Sequence, residues 1–296
     1  MPDVTVSIVA GGDRRLLDAC LASLPAAARE TALQTVVVDN ASPEPLAVPE
    51  GVEVVRNDAR RGFGANHNAV LGEAESRYAL ILNDDTVLDA EAIDRLKWFM
   101  DQNPAVGASG PRLRFPDGRV QPSAFRFPTP ARVALTFLTL QRAGWDMSRG
   151  ERIRRVDWIH GAAMMVRLAA FRDAGGLDER FYMYLEDVDL CRGMRDAGWE
   201  VAFFPYAGIV HYESSSTAGV PERRIVQHAR SRGLYARKHH GTAAARFVQG
   251  VTAAMFAARA GLAVVLPRYD ADDVRRFRAH ARASLDPASG EGIEEP

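Results

Sequence analysis

A short apolar segment that stops at two carboxylates limits the folds this chain can adopt. Residues 78–82 have the length of a buried strand and contain neither Gly nor Pro. Because a buried strand cannot hold unpaired charges, Asp84 and Asp85 are expected where it emerges at a sheet edge or cleft. Two carboxylates so close together suit a divalent cation such as Mg²⁺ or Mn²⁺. A plain turn that includes Asn83 accounts for the same residues, and both interpretations stay open here.

Predicted strands and helices alternate through the first part of the chain. Runs of β-branched or apolar residues predict strands, and apolar residues at helical spacing predict helices. The strands fall at residues 4–9, 35–38, 52–55 and 78–82, and the helices at 16–24, 62–74 and 90–100. This alternation is typical of a doubly wound α/β fold with a parallel sheet, which binds ligands at the carboxyl ends of its strands. Asp39 and the acidic pair at 84 and 85 fall at such ends.

The second half of the chain has a less regular pattern. Residues 111–130 are rich in Pro, Arg and Phe and are predicted to be loops that leave the sheet. Beyond them, strands are predicted at 162–166 and 201–204, and helices at 133–140, 168–174 and 190–197. His211 is expected shortly after the last of these strands.

Composition narrows the class of protein. The length of 296 residues suits one large α/β domain or two smaller ones. A net charge of -1 gives no field that would recruit nucleic acid, so no nucleic-acid partner is expected. Cys20 and Cys191 lie in helix-like patterns, which favours buried, reduced thiols and a reducing cytoplasm over a disulfide. The first residues lack the pattern of a signal peptide, and no run reaches the roughly 18 uninterrupted apolar residues of a membrane span.

The segment from residue 220 to residue 268 combines many Arg and Lys residues with a periodic apolar face. A basic amphipathic helix of this kind can lie on an anionic membrane surface. It can equally pack on the rest of the protein and expose its basic face to water, and the sequence leaves both interpretations open. The polar, acidic residues 286–296 are predicted to be a disordered tail.

A second acidic cluster lies at the start of a predicted helix. Glu186, Asp187 and Asp189 fall there, where the helix dipole and free N–H groups stabilise carboxylates. The same position suits a general base whose pKa is set by burial and by neighbouring charges, and both interpretations remain. His211 has two interpretations as well. A lone histidine is commonly structural, but a neutral imidazole could complete a Mg²⁺ or Mn²⁺ site with Asp85.

Residues 61–68, which read Arg-Gly-Phe-Gly-Ala-Asn-His-Asn, join a glycine-containing turn to the N-terminus of a predicted helix. Such a turn with amide side chains can hold a nucleotide. It is not a Walker loop, because the Lys-Ser/Thr ending is absent, and it lacks the dinucleotide pattern Gly-x-Gly-x-x-Gly. The motif alone therefore predicts no particular nucleotide.

Several motifs follow one another in a recognisable order along residues 4–211. They are Asp39-Asn40-Ala41-Ser42 after a strand, the segment 61–68, Leu82-Asn83-Asp84-Asp85-Thr86, Trp158-Ile159-His160-Gly161-Ala162, the segment 184–191 and His211. With them the chain resembles the family 2 glycosyltransferases of the GT-A fold, especially the bacterial rhamnosyltransferase-like branch. The resemblance implies an α/β fold with a doubly wound mixed sheet. It places a catalytic domain at 1–215, with a nucleotide-binding half at 1–110 and an acceptor-binding half at 111–215, and a basic helical extension at 216–285.

The resemblance also implies an activity, with a role for each matching residue. A sugar would pass with inversion from a nucleoside diphosphate sugar, dTDP-rhamnose or a UDP-sugar, to a hydroxyl of a glycan or lipid-linked glycan. Asp187, supported by Glu186, would be the general base, and Asp85 and His211 would hold Mg²⁺ or Mn²⁺. The nucleotide would contact Val9, Ala10, Asp39, Arg61, Gly62, Asn66, Asn68, Asn83 and Asp84. The donor sugar and acceptor would contact Trp158, His160, Gly161 and Tyr184. The expected place is the cytoplasm. A lipid-linked acceptor would bring the protein to the inner face of the membrane, where the basic C-terminal helices could make a peripheral contact.

One loop departs from the family's pattern, and two other functions stay open. Relatives follow the first strand with a longer loop that carries a Tyr-Asn pair, whereas residues 10–13 here read Ala-Gly-Gly-Asp. A sugar-phosphate nucleotidyltransferase has a similar sheet, and a non-catalytic binding protein could keep the glycosyltransferase fold. A phosphohydrolase of the haloacid dehalogenase type is excluded, because Asn83 stands where its nucleophilic aspartate would be. An amide cannot form the aspartyl phosphate.

Overall fold

The computed structural model describes residues 1–11, 13–138, 146–213, 221–266 and 269–286 of the chain. It divides into two compact units. The first comprises Met1–Phe127, Trp145–Arg180 and Glu186–Ser216, and the second comprises Pro128–Gly144, Phe181–Leu185 and Thr217–Pro296. The second unit therefore takes in two short segments that precede the basic helices in the chain.

The first unit is a sheet with helices packed against it. Its strands are β1 (Val4–Ala10), β2 (Leu33–Asp39), β3 (Val52–Arg56), β4 (Tyr78–Asn83), β5 (Thr86–Leu88), β6 (Val106–Arg114), β7 (Val120–Gln121), β8 (Ala124–Phe125), β9 (Arg154–Val156), β10 (Trp158–Ile159), β11 (Ala163–Arg167) and β12 (Glu200–His211). Its helices are α1 (Arg14–Ala27), α2 (Phe63–Leu71), α3 (Ala92–Gln102), α5 (Leu168–Asp173) and α6 (Glu186–Asp196). The second unit holds α4 (Pro130–Leu138), α7 (Pro221–Val265) and α8 (Ala271–Leu285).

Strands β1, β2 and β4 form the parallel centre of the main sheet, whose order is β3-β2-β1-β4-β11-β6-β12-β5. Because β1 pairs in parallel with both β2 and β4, the carboxyl ends of these three strands lie side by side. The register sets Ala10 opposite Asp39, and Val9 opposite Asn83. The strands are buried on both faces, which is why they read as nearly continuous apolar runs.

Strand β11 makes the sheet mixed, since it runs antiparallel between β4 and β6. The doubly wound mixed sheet implied by the resemblance is confirmed, and the purely parallel sheet suggested by simple alternation is wrong. The pairing sets Ala163 opposite Leu82, and the N–H of Asn83 donates to the carbonyl of Ala162 at 2.9 Å. The segment that precedes β11, which includes His160 and Gly161, is thereby placed beside the carboxyl end of β4.

Two local predictions are wrong. Residues 111–130 are not all loop, because β6 continues to Arg114 and β7 and β8 follow. Leu113 is buried between two less buried arginines, and the arginines conceal this alternation in the sequence. Strand β12 does not end at residue 204 but runs to His211, across a register shift between Phe204 and Gly208 that accommodates Pro205. His211 is therefore the last residue of a strand and not part of a loop.

Helices α1 and α3 cover one face of the sheet with apolar side chains. In α1, Leu17, Cys20, Leu21 and Leu24 are buried, in the helical spacing expected from the sequence. Cys20 and Cys191 are both buried free thiols, which confirms the prediction for them. Burial raises the pKa of Cys20 to about 12, so this thiol stays protonated at neutral pH.

The second unit contains a long helix that is interrupted once. Helix α7 has non-helical backbone angles at Gly241 (φ 83°, ψ 172°), where the left-handed φ favours glycine. The part after Gly241 packs against α8 through a cluster that includes Phe256 and Phe277. Helix α8 begins at a capping box formed by Asp270 and Asp273. Among the described residues, the helical stretch Arg224–Val265 has the length and composition needed to cross a membrane.

Candidate active site

The two carboxylates after β4 lie in a tight turn and point to different neighbours. Thr86 closes the turn, because its hydroxyl donates to the carbonyl of Asn83 at 2.7 Å. Asp84 accepts from the backbone N–H of Gly11 at 3.3 Å, which ties it to the loop after β1. Asp85 is buried, and its backbone carbonyl accepts from the N–H of Tyr212 beyond the end of β12. The two adjacent aspartates therefore occupy different environments, and only Asp85 faces the end of β12.

Asp85 and His211 form the centre of the site. Strand β5 pairs with β12 so that His211 lies opposite Thr86, the residue after Asp85. Its Nε2 lies 3.3 Å from Oδ1 of Asp85, and both side chains are buried. The sequence analysis predicts that Asp85 and His211 share a metal site, which requires their side chains to be adjacent. The structure brings these two side chains together at the edge of the sheet.

Two amides define how the ring of His211 is protonated. Its Nδ1 lies 3.0 Å from Oε1 of Gln121, an oxygen that can only accept, so Nδ1 carries the hydrogen. In the neutral ring Nε2 then presents its lone pair, and it lies 3.5 Å from Nδ2 of Asn83, which can donate to it. A neutral imidazole in this tautomer is the form that binds metals.

This donor set fits a divalent cation. His211 Nε2 and a carboxylate oxygen of Asp85 face each other at 3.3 Å, an arrangement that favours a positive charge between them, either a proton on Nε2 or a metal ion. No group of three or more His, Cys, Asp or Glu side chains that could hold a metal occurs among the described residues. The protein therefore offers two ligands, and Mg²⁺ or Mn²⁺ would complete its shell with water and phosphate oxygens.

Asp187 is held at the N-terminus of α6 by backbone groups. Its Oδ2 accepts from the N–H of Gly161 at 2.9 Å, and its Oδ1 accepts from the N–H of Val188 at 2.8 Å. Burial raises the pKa of Asp187, and these backbone hydrogen bonds together with His160 oppose the rise. A carboxylate with a fixed orientation and a raised pKa is suited to take a proton from a hydroxyl group.

His160 lies between the acidic residue Asp187 and the Asp85–His211 pair. Its Nδ1 accepts from the N–H of Ala162 at 3.0 Å, so its other ring nitrogen carries the hydrogen. Its ring centroid lies 5.8 Å from that of His211. Burial lowers the pKa of His160, which keeps the ring neutral at pH 7.

Glu186 precedes Asp187 and is also buried. Its Oε2 has no hydrogen-bond partner within the part of the chain that the structure describes. Burial, followed by the charge of Asp187, raises the pKa of Glu186 well above its usual value. The raised pKa favours the protonated form of Glu186 beside the side chain of Asp187.

Amide side chains connect the carboxyl end of β2 to the turn before α2. Oδ1 of Asn40 accepts from the N–H of Arg61 at 2.8 Å and from Nδ2 of Asn57 at 3.0 Å. Nδ2 of Asn57 also donates to Asn66 at 2.7 Å. Asn66 in turn donates to the carbonyl of Arg61 at 3.1 Å, and Gly62 is the N-cap of α2. The network gives the predicted nucleotide-binding turn a fixed shape at the sheet edge that also carries Ala10 and Asn83.

Asp39 is fully buried at the end of β2 and already has partners. It forms an ion pair with Arg56 at 2.6 Å and accepts from the N–H of Ser42 at 2.9 Å. The pair fixes the loop after β2, so any contact of Asp39 with a nucleotide would be made by a carboxylate that Arg56 already orients.

Asn68, Trp158 and Tyr184, which the resemblance assigns to nucleotide, donor or acceptor binding, make other contacts in the structure. The side-chain amide of Asn68 bonds to both backbone groups of Leu177, at 2.7 and 3.0 Å, so it joins α2 to the loop after α5. The ring of Trp158 stacks on Phe125 at 4.4 Å, and its Nε1 donates to the carbonyl of Arg126. Tyr184 belongs to the second unit, where its ring stacks on His228 at 3.7 Å. Their assignment to nucleotide, donor or acceptor remains a prediction.

Sequence reasoning missed Gln121 and Asn57. Gln121 is the second residue of a two-residue strand inside the segment predicted to be loop, and no motif marks it. Asn57 directly follows β3, and the rule that polar residues after parallel strands belong to the site would have found it.

Comparison with known proteins agrees with this fold. A family model described as "Glycosyltransferase like family 2" matches residues 2–233. The N-acetylglucosaminyl-diphospho-decaprenol L-rhamnosyltransferase of Mycobacterium tuberculosis is 32% identical over 248 residues, which cover 76% of this chain and 80% of that protein. The chain therefore belongs to the family 2 glycosyltransferases, in a branch like the bacterial rhamnosyltransferases, and the resemblance read from the motifs is confirmed.

Two solved structures share the fold at low sequence identity. The mannosyltransferase PcManGT from Pyrobaculum calidifontis, in complex with GDP-Man and Mn²⁺, has a TM-score of 0.58 at 16% identity, over 99% of this chain and 88% of that one. GalNAc-T7 with UDP, GalNAc and Mn²⁺ has a TM-score of 0.56 at 13% identity, over 99% of this chain and 56% of that one. Both of those structures contain Mn²⁺.

Proposed function

We propose that this glycosyltransferase moves a sugar with inversion from a nucleoside diphosphate sugar to an acceptor hydroxyl, with Asp187 as general base. One observation carries the proposal. The segment before β11 touches both parts of the site: the ring of His160 lies 5.8 Å from that of His211, and the N–H of Gly161 holds the carboxylate of Asp187. A metal-binding pair and a basic carboxylate are thus adjacent to the same three-residue segment.

In this proposal Asp85 and His211 Nε2 hold Mg²⁺ or Mn²⁺. The metal, when bound, supplies Lewis-acid stabilisation of the diphosphate leaving group. Asn83 and Gln121 keep the lone pair of His211 directed at the metal position. The turn from Arg61 to Asn66, with Gly62 as the helix N-cap, receives the nucleotide where free N–H groups favour an anion.

Asp187 takes the proton of the acceptor hydroxyl as the oxygen attacks the anomeric carbon. The carbon–oxygen bond to the leaving diphosphate breaks on the opposite side of that carbon, so one displacement inverts the configuration. The raised pKa of Glu186 favours its protonated form, which limits the negative charge beside the base. Trp158 and His160 lie on the donor and acceptor side in this proposal.

For the substrates we propose dTDP-rhamnose or a UDP-sugar as donor, and a glycan or lipid-linked glycan as acceptor, in polysaccharide or cell-wall synthesis. The name of the mycobacterial relative, which is 32% identical, states rhamnosyl transfer to a decaprenol-linked acceptor and supports this choice. A lipid-linked acceptor would place the reaction at the cytoplasmic face of a membrane.

A panel of UDP-, dTDP- and GDP-sugars tests the donor, with thermal unfolding measured in the presence of Mg²⁺ or Mn²⁺. We expect one sugar nucleotide to raise the Tm only when metal is present. The variant Asp187→Asn should keep this stabilisation and lose turnover by about 10²- to 10⁴-fold, the usual contribution of a general base. Wild-type turnover by Asp187→Asn would contradict the base assignment. Binding of every donor without turnover by the wild type would favour a non-catalytic binding protein, and release of diphosphate from a nucleoside triphosphate would favour a nucleotidyltransferase.

A further inference from the structure

The part of α7 after Gly241 exposes a continuous apolar stripe. Five exposed residues that recur at intervals of three, four or seven positions form the stripe, and helical geometry puts them on one face: Phe247, Ala254, Ala258, Leu262 and Val265. Phe247 is 48% exposed, Leu262 55% and Val265 77%. The stripe runs over 19 residues, from Phe247 to Val265, which corresponds to about 27 Å of helix. A soluble helix normally turns polar residues to this side, so the stripe needs an explanation.

The opposite face of the same helix is apolar too, but it is buried. Phe256, Ala260 and Ala263 pack with Phe277 of α8. Arg259 is the one charged residue between positions 247 and 265, and its guanidinium lies over the ring of Phe256, 5.8 Å from the centroid. The helix therefore has apolar residues on two opposite sides, and only one of them is covered by α8.

Helix α8 adds positive charge to the hairpin that it forms with this part of α7. Its sequence carries a net charge of +2, from four arginines and two aspartates. Asp272 pairs with Arg275 and Asp273 pairs with Arg276, while Arg278 and Arg282 are exposed. Because α8 covers the face opposite the stripe, its arginines lie behind α7, whereas helical geometry puts Arg246 and Arg259 of α7 itself at the two sides of the stripe. An apolar stripe with arginines at its sides, on a hairpin of net positive charge, matches the boundary of an anionic bilayer, where acyl chains lie below phosphate groups.

We propose that this hairpin of α7 and α8 docks in the plane of an anionic phospholipid membrane, with the stripe inserted at the level of the headgroups. An in-plane position follows from α8. Its four arginines cannot enter the hydrocarbon at low cost, so a hairpin that keeps α8 packed on α7 cannot cross the bilayer. The proposal concerns a surface outside the proposed active site and does not depend on the identity of donor or acceptor.

Vesicle flotation of the full chain tests the proposal, with phosphatidylcholine vesicles that contain or lack phosphatidylglycerol. We expect the wild type to float with the anionic vesicles, and to float less as salt screens the arginines. Leu262→Glu, and separately Val265→Glu, should lower the bound fraction by at least about tenfold, because each puts a charge into the apolar boundary. The matched control is Trp98→Glu on α3 in the first unit, a 60%-exposed aromatic residue, which should leave flotation unchanged.

Two further measurements distinguish loss of membrane binding from loss of the fold or of the nucleotide site. Thermal unfolding and donor-dependent stabilisation of each variant show that the fold and the nucleotide site persist, so loss of flotation alone reports on the stripe. Absence of flotation by the wild type at low salt, or flotation of Leu262→Glu equal to that of wild type, overturns the proposal. So does a dimer in solution that Leu262→Glu dissociates while vesicle binding is absent, because the stripe would then be covered by a second copy.

Discussion

Oε1 of Gln121 lies 3.0 Å from Nδ1 of His211, and this contact determines which ring nitrogen faces Asp85. Gln121 is buried on β7, whereas His211 ends β12, so two strands that are distant in sequence fix one tautomer. A hydrogen bond of this kind orients a metal-binding histidine and makes its free nitrogen more basic. Gln121 is therefore a positioning residue for the proposed metal site, although it does not itself face the metal position.

Replacing Gln121 by Met is expected to weaken Mn²⁺ binding by about tenfold to 100-fold, the usual effect of removing the partner of a metal-binding histidine. Methionine keeps most of the buried volume but offers no comparable acceptor to Nδ1. Titration calorimetry with Mn²⁺ and a nucleoside diphosphate measures the change. Gln121→Glu retains an acceptor oxygen and serves as the control that should bind Mn²⁺ at least as tightly as wild type. Equal Kd values for Gln121→Met and wild type would contradict this role.

The two neighbouring carboxylates are expected to respond differently to substitution. Asp85→Ala removes a proposed ligand and should lower metal-dependent nucleotide affinity by at least about 100-fold, more than the loss of an outer partner costs. Asp84→Asn is the matched control, because Asp84 contacts the N–H of Gly11 and an amide oxygen can still accept that hydrogen bond. Calorimetry with and without Mn²⁺ separates the two effects. If Asp85→Ala bound nucleotide and metal as wild type does, the metal assignment would fail.

The sequence predicted the structure best where charged residues directly follow an apolar strand. The apolar strand that stops at Asp84 and Asp85 predicted a site at the carboxyl end of β4, and the parallel pairing of β1, β2 and β4 provides that edge. The order of motifs predicted the family, and the structure places Asp39, the turn that begins at Arg61 and the Asp84–Asp85 pair at this edge.

The remaining features depend on long-range pairing that local patterns do not contain. The antiparallel insertion of β11 is not visible from strand and helix alternation, yet it brings His160 next to His211. The extension of β12 to His211 is concealed by Pro205, and the contribution of Gln121 arises only because β7 pairs with β6. Local propensity does not encode which distant strand a two-residue strand will join.

Turnover is expected to fall at acidic pH, with a midpoint above the ordinary pKa of an aspartate. A general base works only when ionised, so turnover is present above the folded-state pKa of Asp187 and is lost as pH falls through it. Burial raises that pKa above the ordinary value of 3.8, so the limb should lie above pH 3.8. The measurement is kcat against pH at saturating substrates, with unfolding followed over the same range to exclude acid denaturation. Undiminished turnover down to pH 4 would show that Asp187 is not the group that titrates.

Glu186→Gln is expected to stabilise the protein at neutral pH but not in acid. Burial raises the pKa of Glu186, so the folded protein keeps a proton that the unfolded chain releases above about pH 4.5, the usual value for Glu. The stability that the group contributes is fully present below that pH and is lost as pH rises towards the folded-state pKa. Glutamine is neutral throughout and has the same shape. The Tm difference between variant and wild type should therefore be near zero at pH 4 and positive at pH 7.5, and a difference independent of pH would refute the buried neutral acid.

Gly161→Ala tests whether the precise position of the Asp187 carboxylate matters. A Cβ at this position would lie 3.3 Å from Cβ of Asp187 and 3.4 Å from its Oδ2, which is tighter than an ordinary contact. The carboxylate or the segment before β11 must then shift by a few tenths of an ångström, and we expect turnover to fall by on the order of tenfold, since small misplacements of a catalytic group are costly. Gly250→Ala, where a Cβ would meet nothing within 4 Å, is the matched control and should keep wild-type turnover. Donor-dependent stabilisation should persist in both variants, because neither glycine belongs to the proposed nucleotide-binding turn. Wild-type turnover in Gly161→Ala would mean that the N–H contact from Gly161 does not position the base.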